Sequence, residues 1–145
     1  MEKTISKFRF TDFKVTRSIF NFIKDFDIDN SDIAFDVKGT IDRENNIFYL
    51  FLGFVLKNNE NEEELNEDNV HFIVESIGEF EFDSDISAED LSKYFLTNST
   101  AIMFPYIRSY ITTLTSNSGF GKPIILPTMN LTSLRDKLES NISEI

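Results

Sequence analysis

The sequence predicts an α+β fold, in which a four-stranded antiparallel sheet is followed by helices that pack on one face. Apolar and polar residues alternate in the segments 33–41 and 70–82, as in strands with one wet face. Links of hairpin length join the predicted strands, which favours antiparallel pairing. In the segment 107–114, isoleucine and leucine recur at spacings of four and three, which is typical of one helix face.

The first two predicted strands are recognised by the alternation of apolar and polar residues. Residues 5–26 are predicted as one long strand or a broken pair of strands. Phe8 and Phe10 occupy even positions in this segment, whereas Phe13 and Val15 occupy odd positions. This change of phase predicts a bulge near Thr11 and Asp12. The second strand alternates between residues 33 and 41, and Asn45-Asn46 marks the tight turn that follows it.

The third strand, Ile47 to Lys57, is apolar on both faces apart from Gly53. We therefore expect a helix or another chain to cover its second face. The loop 58–69 has six acidic residues and is therefore predicted to be solvated. Metal binding is the less favoured alternative, because the loop lacks the glycine spacing of a calcium loop. The fourth strand, residues 70–82, contains Gly78, which indicates a bend.

Two helices are predicted after the sheet. Ser87 is placed to cap a short helix over residues 88–96, with acidic residues in its first turn. Asn98 or Ser99 is placed to cap a long helix from Thr100 to Asn117.

The long helix is followed by an extended crossover. Pro105 suits a first helical turn or a kink, and Gly119 suits a left-handed cap. Pro123 and Pro127 bracket an apolar segment, which two prolines four residues apart keep extended. Leucines at helical spacing predict a final helix over residues 131–144.

Composition limits the classes of function. The formal net charge of -11 argues against nucleic acid and anionic membranes as partners, and suits a client that carries Lys and Arg. The chain has 16 Phe and no Trp, which indicates either a second apolar surface or the codon usage of an AT-rich genome. Because there is no Cys, neither a disulfide nor a thiolate metal site is expected.

A single domain over residues 1–145 is expected at this length. Residues 1–4 lack the apolar core of a signal peptide, and the run from Ile47 to Leu56 is too short to span a bilayer. We therefore expect a cytoplasmic protein with no membrane insertion.

The sequence contains no pattern that indicates catalysis. The one histidine, His71, lies in a predicted strand without a partner spacing for a triad or a metal. The segment 119–123 has glycines and a lysine, but its spacing differs from a phosphate loop and its Lys precedes Pro. We expect no enzyme, no cofactor and no metal site.

The region from Phe104 to Leu134 contains a Phe-Pro-Tyr motif, a Gly-Phe step, an extended segment between two prolines and an Asn-Leu pair that begins a helix. This order of motifs resembles the protein-export chaperone SecB. In that family the region is a long interface helix, a crossover loop and a short C-terminal helix. The resemblance implies a homotetramer, built as a dimer of dimers, that holds unfolded polypeptides in apolar grooves without ATP. The matching residues are Phe104, Pro105, Tyr106, Arg108, Ile111, Thr112, Gly119, Phe120, Pro123, Leu126, Pro127 and Asn130.

The resemblance also implies positions for the client groove. These positions are the FPY tyrosine, two inward residues of the fourth strand and the apolar alternation of the second. For each of them, plain packing in the core is the alternative interpretation. The substrate-binding candidates are Tyr106, Phe72, Val74, Ile33, Phe35 and Val37.

A second implied site lies on the other face of the fourth strand. Ile73 and Glu75 match the family's docking site for the translocation motor SecA, which meets an acidic surface there. Arg17 and Asn21 stand where the family has acids, so the resemblance implies weakened docking. Two alternatives remain: a SecB-like chaperone dedicated to the antitoxin of a toxin–antitoxin system, and an oligomeric adaptor for one folded partner.

Overall fold

The structure is a computed structural model that describes residues 8–21, 31–58, 70–118, 123–126 and 131–145. Within these ranges the chain forms five strands, three α-helices and a five-residue π-helical turn, Phe95–Ser99. The strands are β1 (Phe8–Phe20), β2 (Ser31–Asp42), β3 (Ile47–Asn58), β4 (Val70–Phe82) and β5 (Ile142–Glu144). The helices are α1 (Ala88–Tyr94), α2 (Thr100–Ser116) and α3 (Leu131–Glu139).

The strands form one sheet in the order β1-β4-β3-β2-β5. The first four strands pair antiparallel, as predicted, whereas β5 pairs parallel with β2. The predicted α+β class is confirmed, but the sheet has five strands rather than four. The prediction of a helix over 131–144 is wrong at its end, because α3 stops at Glu139 and residues 142–144 join the sheet. The edge of β2 offers backbone groups that capture this segment.

Strand β1 contains the predicted bulge. Its pairing with β4 shifts between Phe10 and Asp12, and it shifts again between Val15 and Arg17. The first shift keeps apolar residues of both phases against the core, where Phe10, Phe13 and Val15 all pack. Residues 22–26 of the predicted strand lie outside the described residues, as do loop residues 59–69.

The core lies between the sheet and the helices. Even-numbered apolar residues of β3 and β4 are buried, whereas Tyr49, Phe51 and Val55 lie half-buried on the opposite face. Strand β3 is therefore covered on one side by the chain's own helices, and its second side remains part of an open sheet face. The one buried hydroxyl of β4 is satisfied, since Ser76 Oγ donates to the Leu52 carbonyl at 2.8 Å.

Stacked phenylalanines fill the end of the core near α1. The rings of Phe48 and Phe95 lie 3.8 Å apart, centroid to centroid, at an interplanar angle of 12°. Phe8 stacks on Phe80 with centroids 4.9 Å apart. Gly78 lies beneath α2, because a Cβ there would be 2.7 Å from the sulfur of Met103. Close approach of the helix therefore explains this glycine.

The β2–β3 hairpin is closed by Asp42, Asn45 and Asn46. The Asp42 carboxylate accepts hydrogen bonds from the Asn45 amide N–H at 3.1 Å and from its side-chain nitrogen at 2.8 Å. These bonds from Asn45 hold the pKa of Asp42 below its ordinary value. Asn46 has a φ of 56°, which confirms the predicted turn at a position that asparagine tolerates.

The helical region is more continuous than predicted. Ser87 caps α1 as predicted, accepting from the Asp90 amide at 3.1 Å. Helix α1 ends at Tyr94, and the π-helical turn joins it directly to α2. The prediction that Asn98 or Ser99 caps α2 is wrong, because Ser99 has helical dihedrals and its hydroxyl donates to the Phe95 carbonyl.

Helix α2 agrees with the predicted range 100–117 to within one residue. Pro105 is its sixth residue, in the second turn rather than the first, where its ring removes one backbone hydrogen bond. Gly119, the predicted cap, lies outside the described residues. Among the helices of the described ranges, none has the length and apolarity that crossing a membrane requires.

Candidate functional site

Exposed apolar side chains concentrate along helix α2 and the segment that follows it. Ile102 and Tyr106 are 37% and 50% exposed, and they share the outer face of α2 because they are four residues apart. Ile125 of the crossover is 55% exposed. Ile145 is the other large hydrophobic residue that is exposed within the described ranges, and it lies next to β5.

Tyr106 is held against β1 by two phenylalanines. Its ring centroid lies 5.1 Å from that of Phe10 and 5.6 Å from that of Phe13. Both phenylalanines also pack against the core, so they support the tyrosine from below. These three residues, called the aromatic patch hereafter, give a half-exposed aromatic surface whose orientation the fold fixes.

The crossover runs along α2 and is hydrogen-bonded to it. Arg108 Nε donates to the Leu126 carbonyl at 3.1 Å, and Thr112 Oγ1 donates to the Ile124 carbonyl at 3.0 Å. The Ile124 amide donates to Thr115 Oγ1 at 2.7 Å. Ile124 and Leu126 are buried, which leaves Ile125 pointing outward. The predicted extended crossover is therefore confirmed for residues 123–126, while Pro127 lies outside the described residues.

A shallow pocket of about 350 Å³ lies between the crossover and the outer face of α2. Its walls combine apolar groups with threonine and serine hydroxyls and one guanidinium, a composition that suits peptide contacts. The lining residues are Phe104, Pro105, Arg108, Ser109, Thr112, Thr113 and Ile125. Together, this pocket, the aromatic patch and Ile102 are called the α2 surface hereafter.

The predicted groove residues do not form one cluster. Tyr106 is exposed, but Val37, Phe72 and Val74 are 0–1% exposed and belong to the core. Ile33 and Phe35 are half-buried on β2 and pack against the core. Val37, Phe72 and Val74 therefore pack in the core of this chain, which is the alternative that the sequence left open for them.

The sheet order separates the remaining candidates. Tyr106 lies over β1, whereas Ile33 and Phe35 belong to β2, and β4 and β3 lie between those strands. Strands β1 and β2 are therefore three strand spacings apart, a distance of about 14 Å. Tyr106 and the β2 residues therefore stand at opposite sides of the sheet.

The second predicted site lies on the open face of the sheet. Ile73 and Glu75 are half-buried there, and Arg17 is paired in register with Glu75. Arg17 Nη1 donates to Glu75 Oε1 at 3.5 Å, and Thr16 Oγ1 donates to the Glu75 carbonyl at 3.3 Å. Arg17 is thus an internal partner of Glu75, the candidate docking acid.

Other acids of the open face also have basic neighbours. Arg9 lies 4.0 Å from Glu81, and Lys38 lies 3.7 Å from Asp36. Lys14 lies 3.2 Å from Asp12, whose carboxylate raises the pKa of Lys14 by hydrogen bonding and by charge attraction. The described part of this face is therefore a mixture of both signs, although the chain as a whole is strongly acidic.

The described residues include no group of three or more His, Asp or Glu side chains that could hold a metal. The acidic loop and the side chain of His71 lie outside this description. Sequence reasoning missed Ile102 and Ile125 as surface residues. Two signals could have found them, namely the four-residue spacing of Ile102 from Tyr106 and the alternation that buries Ile124 and Leu126.

Comparison with known proteins assigns the fold. The chain is similar to the Mycobacterium tuberculosis SecB-like chaperone Rv1957, solved with a ChAD peptide from the HigA1 antitoxin, with a TM-score of 0.61. The similarity covers 85% of this chain and 91% of that chain at 18% sequence identity. The chain thus has a SecB-like fold, and the predicted resemblance is confirmed at that level.

Sequence comparison is less informative. No family model matches the chain. The uncharacterised protein MJ0357 of Methanocaldococcus jannaschii is 34% identical over 70 residues, which cover 48% of this chain and 44% of that protein. The match thus spans less than half the length of this archaeal relative.

Proposed function

We propose that this chain is a holdase chaperone of the cytoplasm, which binds unfolded or nascent polypeptides without ATP and keeps them soluble for export or transfer. The observation that carries the proposal is the α2 surface, where Ile102, Tyr106 and Ile125 are each exposed on one helix or on the segment that packs along it. Large apolar side chains exposed in one region of a folded protein are typical of a binding surface. The SecB-like fold and the net charge of -11, which favours solubility of the loaded protein, support the proposal.

The α2 surface is suited to clients of varied sequence. Its aromatic patch offers contact area without a deep, shape-selective cavity, and its pocket is shallow. The hydroxyls of Ser109 and Thr113, and the N–H groups of Arg108 other than Nε, can donate to backbone carbonyls, which every client has. An extended polypeptide therefore finds apolar contacts and polar contacts side by side.

Suppression of aggregation tests the proposal. We expect the wild type to keep two unrelated unfolding proteins, such as citrate synthase and reduced insulin, in solution at stoichiometric ratios. Tyr106→Ala should weaken capture by roughly 2 kcal/mol, the usual cost of losing an aromatic anchor. Tyr49→Ala removes a tyrosine from the open face of the sheet and is the matched control, provided that light scattering gives it the same mass as the wild type. If Tyr106→Ala instead unfolds the protein, Tyr106 has a structural role and the site is misassigned.

We also propose a homotetramer, built as a dimer of dimers, in which a second copy covers part of the α2 surface or of the open sheet face. Half-buried Tyr49, Phe51 and Val55 on that face are further apolar area that an interface would bury. Light scattering should give the mass of four chains across micromolar concentrations. A monomeric mass throughout that range would refute the assembly.

A second candidate is a chaperone dedicated to one antitoxin. The ion pair of Arg17 with Glu75 favours this candidate, because the arginine offsets the negative charge that a basic SecA tail would need at Glu75. The similar SecB-like chaperone was solved with an antitoxin peptide, which supports a polypeptide partner of this kind. A toxin and antitoxin encoded beside this gene would decide for it. Binding of one folded protein, without suppression of aggregation, would instead indicate an adaptor.

A further inference from the structure

The outer edge of β2 is occupied by the chain's own β5. Gly39, Thr40 and Ile41 pair with Ile142, Ser143 and Glu144 in parallel register. The Gly39 amide donates to the Asn141 carbonyl at 3.1 Å, and the Ile145 amide donates to the Ile41 carbonyl at 2.9 Å. An edge strand with free backbone groups invites pairing, so β5 satisfies groups that another strand could bind.

Two side chains extend this cover beyond the strand. Asn141 Nδ2 donates to the Val37 carbonyl at 3.3 Å, and Lys137 Nζ donates to the Phe35 carbonyl at 2.6 Å. The Lys137 ammonium also lies 5.1 Å from the centroid of the Phe35 ring. The segment 137–145 therefore shields both the backbone edge of β2 and the aromatic face of Phe35.

This cover is built from contacts that open easily. Strand β5 has three residues, against twelve in β2, and Ser143, Glu144 and Ile145 are exposed. Ile142 alone in the strand packs against the core. The ion pair of Glu144 with Arg43 lies at the surface, where such pairs contribute little. Short, exposed pairing of this kind belongs to the least stable part of a fold.

We propose that β5 is a displaceable occupant of a strand-addition site, and that an extended segment of the unfolded client takes its place on the edge of β2. The proposal rests on the proposed function and adds a regulated subsite to it. The fitting segment has the pattern of β5 itself, with an apolar residue at the position of Ile142 and polar neighbours. The client strand would then form the backbone hydrogen bonds that β5 now forms with Gly39 and Ile41.

Proline substitutions test this competition. Backbone N–H groups of a strand alternate in direction, so the Ser143 amide points at β2 as the Ile145 amide does, whereas the Glu144 amide points away. Ser143→Pro should therefore release β5, and Glu144→Pro is the matched control. Fluorescence titration with reduced, carboxymethylated α-lactalbumin, which stays unfolded, should show about fivefold to tenfold tighter binding by Ser143→Pro and unchanged binding by the control.

Hydrogen exchange gives an independent readout in the unsubstituted protein. Bound α-lactalbumin should accelerate exchange of the Ile145 amide, because β5 leaves, while the Gly39 amide stays protected by the incoming strand. The proposal is overturned if the Ile145 amide keeps its protection in the complex, or if Ser143→Pro binds no more tightly than wild type. It is also overturned if Ser143→Pro gains mass without client, since the free edge then pairs with a second copy.

These outcomes separate the inference from the proposed function. If α-lactalbumin binds with the same affinity to wild type and Ser143→Pro but less well to Tyr106→Ala, the holdase function stands and the strand-addition site falls. If α-lactalbumin binds none of these proteins, both proposals fail together.

Discussion

Two neighbouring residues of β4 should lose very different amounts of stability on the same substitution. Val74 is 0% exposed and lies in the core, whereas Ile73 is half-buried on the open face of the sheet. Val74→Asp removes the burial of an apolar side chain, worth about 1.5–3 kcal/mol. It also forces a carboxyl group into a site without a polar partner, which adds about 1–3 kcal/mol even when the group is neutral.

The sum, about 2.5–6 kcal/mol, is a large share of the roughly 5–15 kcal/mol that stabilises an ordinary domain. We expect Val74→Asp to lower Tm by roughly 10 °C or more, and Ile73→Asp to change stability by about 1 kcal/mol. Thermal unfolding followed by circular dichroism measures both. Because burial raises the pKa of an aspartate at position 74, the loss should grow as pH rises above the carboxyl's ordinary value.

The opposite result would contradict the placement of Val74. A Val74→Asp variant that keeps the wild-type Tm but no longer binds unfolded protein would show that this residue lines a client groove. Equal destabilisation by the two substitutions would show that both faces of β4 are covered in the assembled protein.

Three further predictions concern other parts of the structure. Calorimetry at physiological salt should find that the wild type binds an isolated SecA tail peptide weakly or not at all, and that the double variant Arg17→Asp with Asn21→Glu binds it more strongly. Tight binding by the wild type that is lost on Glu75→Lys would contradict this. Thr115→Val should cost about 1–3 kcal/mol in denaturant unfolding, because it strands the buried Ile124 amide, whereas Thr113→Val on the exposed face should be nearly neutral. Asp42→Ala should lower Tm at neutral pH, and this effect should vanish as pH falls through the pKa of Asp42, which lies below its ordinary value of 3.8. An effect of the substitution that does not change with pH would contradict the assigned hydrogen bonds.

Local patterns in the sequence were sufficient for the order of the first four strands and the three α-helices. The phase change in β1 located the bulge between Phe10 and Asp12, because alternation with a period of two records which face a residue occupies. The Ser87 cap of α1 and the buried face of α2, with Ile107 and Ile111, follow from signals within a few positions of each other. The crossover is extended because of its prolines, which act on neighbouring backbone only.

What the sequence left undetermined depends on contacts between distant segments. Strand β5 has three residues and pairs with β2 about a hundred positions earlier, so no local pattern announces it. The alternation of apolar residues placed Val74 and Phe72 on the inner face correctly. Whether a helix covers that face depends on how the helices pack on the sheet, which no local pattern records. The opposite positions of Tyr106 and Phe35 likewise depend on the strand order, which the sequence does not state.

The measurement that tests the central claim most directly is photo-crosslinking from the α2 surface. A benzophenone amino acid placed at Tyr106 should crosslink to unfolded proteins of unrelated sequence, and the same group at Tyr49 on the open face should not. Crosslinking at Tyr106 to several unfolded clients, reduced by an excess of unlabelled client, is the result that the proposed function predicts. Crosslinks that form only to a second copy of the chain, or equally from both positions, would contradict it.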